Sequence, residues 1–163
     1  MRKLILVYNS GASHYVAVRS EVIEQVWKIP GWMVGKFEVK KTAVDENAEL
    51  LAQMLRDGDL VVSAGGDGTA AVALNGVMLA GKNVALGVLG YGNFNDMAGM
   101  LGVKRPVEYG DEYLGGVREI VEKFERDELK EIYPLEVIVD GKHWRWAACY
   151  VTMGLLAEAT QAM

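Results

Sequence analysis

Leu60-Val61-Val62-Ser63-Ala64-Gly65-Gly66-Asp67-Gly68-Thr69 joins an apolar run to a glycine-rich turn holding one carboxylate. The apolar half reads as a strand buried on both faces. The stretch behind the turn, Ala70 to Ala80, reads as a helix stopped by Gly81. Such a junction suits an anion. Glycine lets the backbone approach a ligand closely, and the first amides of a helix have no partner within it. Phosphate repels an aspartate inside this cradle, so Asp67 calls for a metal ion or a hydroxyl partner. That combination points to phosphoryl transfer rather than passive anion binding. The plainer alternative is a tight turn with a solvated Asp.

The same grammar extends along the chain. Lys3 to Tyr8, Lys36 to Val39, Asp59 to Ala64 and Val84 to Leu89 read as strands. Residues 14–28 place Val18, Val22, Ile23 and Val26 on one helical face. Asp45 or Asn47 can cap a helix carrying Ala48, Leu51, Ala52 and Leu55, with Gly58 as its stop. Asn95 to Leu101 reads as a short helix, with Asn95-Asp96 able to cap it and Met97, Met100 and Leu101 in the core. Asp111 to Arg126 reads as a longer one, with Val117, Ile120, Val121 and Phe124 facing inward. Strands separated by helices predict an α/β fold with a parallel sheet flanked by helices. Ligands of such sheets bind beyond the carboxyl ends of the strands. Three glycine-containing turns sit there, at residues 9–11, 65–69 and 90–96.

The pattern changes after Leu129. Glu131 to Val139, Asp140-Gly141 and Lys142 to Met153 read as a β-hairpin with a two-residue turn. Its second strand is apolar on both faces, with Trp144, Trp146, Ala148 and Tyr150 opposite Ala147, Cys149, Val151 and Met153. Such a strand needs cover on both sides. More polypeptide or a second copy of the chain can supply it, and the reading predicts a homo-oligomer through residues 131–153.

With 163 residues, half of them apolar, the chain can build one ordinary core. A net charge of −5 gives no electrostatic footprint for nucleic acid. The single cysteine, Cys149, forms no internal disulfide, reads as core, and agrees with a reducing, cytoplasmic setting. No apolar run is long enough to span a bilayer. Trp27 and Trp32 are expected to pack at a helix end or loop, with peripheral contact to the inner membrane face as the alternative.

Gly65-Gly66-Asp67-Gly68-Thr69 followed by Asn75-Gly76 resembles the GGDGT…NG signature of the diacylglycerol kinase catalytic domain family. The stretch Gly90 to Ala98 is similar to that family's P-x-G-T-x-N-D-x-A turn, and Asn9-Ser10-Gly11 to a shortened N-P-x-S-G turn. Thr42 matches the family's Thr after the second strand, and Tyr150 to Ala157 its aromatic strand and glycine. The resemblance implies a nucleotide-binding α/β domain over residues 1–128. It further implies the start of a truncated β-sandwich domain over 129–163. It implies transfer of the ATP γ-phosphate to a lipid hydroxyl such as that of diacylglycerol, with Mg²⁺. ATP contacts carry over to Asn9, Thr42, Gly65, Gly66, Asp67, Gly68, Thr69, Ala70, Ala71 and Asn93. Asp67 is the implied catalytic residue, and Asn95 and Asp96 the residues that order the second turn. Three positions depart from the pattern: Val72 stands where the family has Glu, Asn93 where it has Thr, and Gly90 where it has Pro. Gly90 is expected to loosen the second turn. These departures and the short second domain leave a nucleotide-binding module without catalysis as an alternative. NAD kinases share GGDGT, but this chain lacks the Asn-Glu dipeptide they also use.

Overall fold

Leucine- and valine-rich runs with no polar face must be covered on both sides, and pairing them in parallel beneath helices achieves this. The computed structural model, which describes residues 2–10, 29–40, 44–92, 94–103 and 114–149, shows that arrangement. The strands β1 (Arg2–Tyr8), β2 (Trp32–Glu38), β3 (Leu60–Gly65) and β4 (Ala85–Gly90) form one parallel sheet in the order β2-β1-β3-β4. Every residue of the central β3 is buried.

Among the described residues two helices cover one face. Leu51 of α1 (Val44–Met54) and Val72 and Ala73 of α2 (Asp67–Ala80) close over Ile5, Val7, Phe37 and Val61. A short helix, α3 (Asp96–Met100), follows β4. The opposite face lies under α4 (Leu114–Glu125), whose Val117 and Val121 are buried on Leu4, Leu6, Val62 and Leu89. Ile120 and Phe124 pack at the margin of that cluster, as their helical spacing predicts. Gly87 permits the approach of α4, since a Cβ there would lie 2.6 Å from Ile120 Cγ2. An antiparallel hairpin, β5 (Leu135–Val139) and β6 (Lys142–Ala147), completes the described chain. Its turn residues Asp140 and Gly141 both have positive φ (51° and 74°), the geometry favoured between two twisted strands.

Three details differ from expectation. The second strand starts at Trp32 rather than Lys36. It pairs with β1 from Arg2↔Trp32 onward, and Gly31 (φ 81°) turns the chain just before it. Trp32 is therefore a buried strand residue and not a loop aromatic; its Nε1–H donates to Glu125 Oε1 at 3.0 Å and its ring meets Phe124 edge-on. The helix after β3 starts at Asp67, so Asp67-Gly68-Thr69 form its first turn. Asn47 lies inside α1 rather than capping it. Its amide bonds both the N–H and the C=O of Lys40, tying the end of β2 to the helix. The expected helix over 14–28 and the residues from 150 onward lie outside the described residues.

Candidate active site

In the order β2-β1-β3-β4 the chain leaves β1 toward one side and β3 toward the other, so the crevice between their carboxyl ends is the topological switch point. Register places Tyr8 beside Ala64, and Gly65 beside Gly90. Asn9, the Gly65–Thr69 turn and the Gly90–Asp96 turn therefore share one edge of the sheet.

The two glycine turns touch through their backbones. Tyr91 N–H donates to Gly65 O at 2.9 Å. A Cβ on Gly92 would collide with Gly66 Cα, and one on Gly66 would lie 3.1 Å from Gly92 Cα. The contact requires glycine at 92 and leaves little room for a side chain at 66. Gly66 is the N-cap of α2 without a side-chain cap, and its carbonyl accepts from the amides of Thr69 and Ala70 at 3.0 Å. The Asp67 and Gly68 amides precede the helix's own bonding ladder and have no acceptor within it. The positive end of α2 lies here as well.

Asp67 spans the two turns. Its Oδ1 accepts from Met97 N–H at 3.0 Å, so a carboxylate from the first motif caps the helix of the second. Asn95 makes no side-chain cap of its own. It adopts left-handed backbone (φ 58°), and its side chain closes the turn, accepting from Gly92 N–H and donating to Gly92 C=O, both at 2.6 Å. Gly90 packs directly against Asn95 of this turn. Its missing side chain admits Asn95, whose Cβ would lie 2.9 Å from a Cβ on Gly90.

The remaining positions divide by exposure. Gly68 and Asp96 are exposed, and Asn9, Gly66, Asp67 and Ala71 are half-buried. Gly65, Thr69 and Ala70 are buried. A Cβ on Gly65 would lie 2.6 Å from Thr69 Cβ, and Ala70 packs with Leu74, Val88 and Met97. Thr42 and Asn93 lie outside the described residues. Val72, at the family's Glu position, is 2% exposed in the core. Met97 is core as expected, whereas Met100 is 51% exposed.

Two residues gain roles that their types did not announce. Asn75 is buried on α2 and grips β6. Its Oδ1 accepts from Trp146 N–H at 2.8 Å, and its Nδ2 donates to Trp146 O at 3.0 Å and to Ala71 O at 2.8 Å. The signal available in the sequence was a lone amide on an otherwise apolar helix. Cys149 is exposed rather than core, because β6 ends at Ala147 and the chain emerges beside the glycine turns. Partial desolvation, and then the charges of Asp67 and Asp96, hold its thiol above the ordinary pKa.

The diacylglycerol kinase catalytic domain family matches residues 3–127. The crystal structure of a diacylglycerol kinase from Bacillus anthracis str. Sterne superposes with a TM-score of 0.51 at 18% identity, covering 87% of this chain and 47% of its own. A second structure from that organism, assigned to the same kinase class, gives 0.51 at 19% identity with the same coverage. This chain thus spans about half the length of those proteins, and the likeness speaks to the fold. No curated protein matches the chain. With its signature turns joined at the switch point and the family match running through most of its length, the chain belongs to the diacylglycerol kinase catalytic domain family.

Proposed function

We propose that the chain is the nucleotide-binding core of an ATP-dependent lipid kinase, which moves the γ-phosphate of ATP to the hydroxyl of a lipid alcohol such as diacylglycerol. One observation carries this reading: two glycine turns meet at the switch point with the carboxylate of Asp67 fixed between them. Phosphoryl transfer asks a protein mainly for positioning and charge neutralisation. The amides of Asp67 and Gly68 and the positive end of α2 suit the phosphate oxygens. Met97 N–H holds one oxygen of Asp67 and leaves the other for the acceptor. The lipid hydroxyl oxygen attacks the γ-phosphorus, the bond to the β–γ bridging oxygen breaks, and the hydroxyl proton passes to Asp67. General-base help of this kind is worth about 10²–10⁴-fold.

Magnesium is commonly held by one or two carboxylates together with the substrate's phosphates. Asp67 and Asp96 fit that pattern, and among the described residues no cluster of three ligating side chains exists that would hold a metal alone. The ion would offset phosphate charge. No helix among the described residues is long and apolar enough to cross a membrane.

The test is transfer of radiolabelled phosphate from Mg-ATP to diacylglycerol in mixed micelles. Asp67→Asn keeps an oxygen for Met97 N–H and should preserve the fold while lowering transfer by at least about 10²-fold. Asp67→Ala should lose transfer and also about 1 kcal/mol of stability with the cap. Equal transfer by wild type and Asp67→Asn removes Asp67 from the chemistry. The burial of Val72 favours a second reading, nucleotide binding without transfer, because no carboxylate reaches the site from that position. Saturable ATP binding with no labelled lipid would select it.

A further inference from the structure

A groove of about 250 Å³ lies between the end of α3 and the segment that leads into β5. Its floor is apolar: Leu101, Ile132 and Ala148 all pack on the cluster of Ala70, Leu74, Val88 and Met97. Met100 and Tyr133 line it from the solvent side, 51% and 84% exposed. Glu131 also lines it, but its carboxylate is engaged, accepting from Tyr133 Oη–H at 2.7 Å and so holding the ring in place. Core packing accounts for the floor and leaves Met100 and Tyr133 unexplained. An adaptable thioether and an aromatic ring, left in water beside an apolar floor, suit an apolar occupant.

Both sides of the groove lead back to Asp67. Its carboxylate holds Met97 N–H, three residues before Met100 and four before Leu101. Those two positions therefore stand about one helical turn, roughly 5 Å along the axis, from that contact. On the hairpin side, Ala148 adjoins Cys149, on whose thiol the charges of Asp67 and Asp96 bear. The Asp67 oxygen that Met97 leaves free is where the acceptor hydroxyl belongs, so whatever that hydroxyl is attached to emerges beside the groove. At roughly 30 Å³ for a water-sized group such as a methylene, the groove holds about eight of them. That suits the first carbons of a fatty chain, and it is too small to enclose a whole lipid. We propose that this groove takes an acyl chain of the lipid acceptor, with its ester end toward Asp67 and its first carbons over Leu101, Ile132 and Ala148. This inference rests on the lipid-kinase reading above and gives Met100 and Tyr133 the task of choosing among acceptor alcohols by chain length.

The experiment is calorimetric titration of the 163-residue chain with two water-soluble acceptors, 1,2-dibutyrylglycerol and 1,2-dihexanoylglycerol. The second carries two more methylenes in each chain, and every methylene buried tightens binding about fourfold. Wild type should therefore bind it at least about tenfold more tightly. Met100→Gln and Tyr133→Ser, both at exposed positions and checked by circular dichroism, should each cut that gain to about fourfold or less. Leu135→Lys, on the outer face of the hairpin, should leave the gain intact and so separates the groove from general apolar adsorption. A wild type that binds the two acceptors alike, or neither, overturns the proposal. So does a gain that survives both groove variants, or one that Leu135→Lys abolishes. Phosphate transfer from Mg-ATP to both acceptors, assayed in the same preparations, keeps the two readings apart. Transfer with no chain-length discrimination in binding strikes the groove alone. A groove-dependent gain with no transfer strikes the kinase reading and leaves the groove standing.

Discussion

Asn75 shows how much one buried amide can organise. Both its oxygen and its nitrogen are committed to the backbone of Trp146, the same pair of bonds an adjoining strand would make. Replacing it by alanine leaves an N–H and a C=O of β6 without partners, each at about 1–3 kcal/mol when buried. Asn75→Ala should therefore lose about 3 kcal/mol in urea unfolding. Asn75→Asp should fare no better, since a carboxylate sets lone pairs against the carbonyls of Trp146 and Ala71. Full stability in Asn75→Ala would mean that the hairpin is held by other means. Cys149 offers a second residue-scale test. The thiolate is the reacting form of cysteine, and a raised pKa keeps it scarce at neutral pH. Alkylation of Cys149 should thus be slower near pH 8 than that of an unhindered thiol. Asp67→Asn removes one of the negative charges acting on the thiol, which moves its pKa down. The alkylation profile should shift to lower pH in that variant. Superimposable profiles would place Cys149 outside the reach of Asp67.

At the scale of elements, α1 and α2 depend on a glycine that helix propensity alone would disfavour. Gly76 sits inside α2, where alanine would ordinarily gain about 1 kcal/mol. A Cβ there would lie 2.7 Å from Leu51 Cδ2 on α1. Overpacking costs about 1–3 kcal/mol, so Gly76→Ala should destabilise by about 1 kcal/mol net. Paired with Leu51→Ala, which vacates the space, it should cost far less than the sum of the two single changes. Urea midpoints of the four chains check this, and additivity would show that the helices do not meet at Gly76. The elements themselves were legible in sequence where a local pattern fixes them. Uninterrupted apolar runs marked β1 and β3, Gly81 (φ 58°) ended α2, and Asp140-Gly141 turned the hairpin. The joints between elements were not legible. Asp67 caps a helix 30 residues away, and Asn75 holds a strand 71 residues away. Single long-range hydrogen bonds leave no periodicity in the chain. Cys149 was misjudged for a related reason: its apolar neighbours suggest burial, whereas its position is set by where β6 ends.

For the molecule as a whole, the hairpin presents an asymmetry between its two faces. One is anchored, with Trp146 and Ala148 packed on the cluster of Ala70, Leu74, Val88 and Met97. The other leaves Leu135 and Val139 of β5 59% and 49% exposed. Among the described residues the outer edge of β5 also keeps N–H and C=O groups that can pair with another chain, whereas Asn75 occupies the outer edge of β6 at Trp146. Contiguous apolar surface of this kind marks an association site in soluble proteins. An isologous contact, in which each hairpin covers its twin, satisfies the apolar face and an edge together. The 163-residue chain should therefore dimerise through residues 131–153, with its weight-average mass in light scattering rising toward twice 17.9 kDa as concentration increases. Leu135→Lys combined with Val139→Lys places charge on the exposed face without touching the Asn75 grip on β6. It should hold the chain monomeric while leaving its circular dichroism spectrum and urea midpoint unchanged. A wild type that scatters as a monomer at several hundred micromolar would show that this face does not seek a second copy. A dimer that survives both lysines would move the interface elsewhere on the molecule.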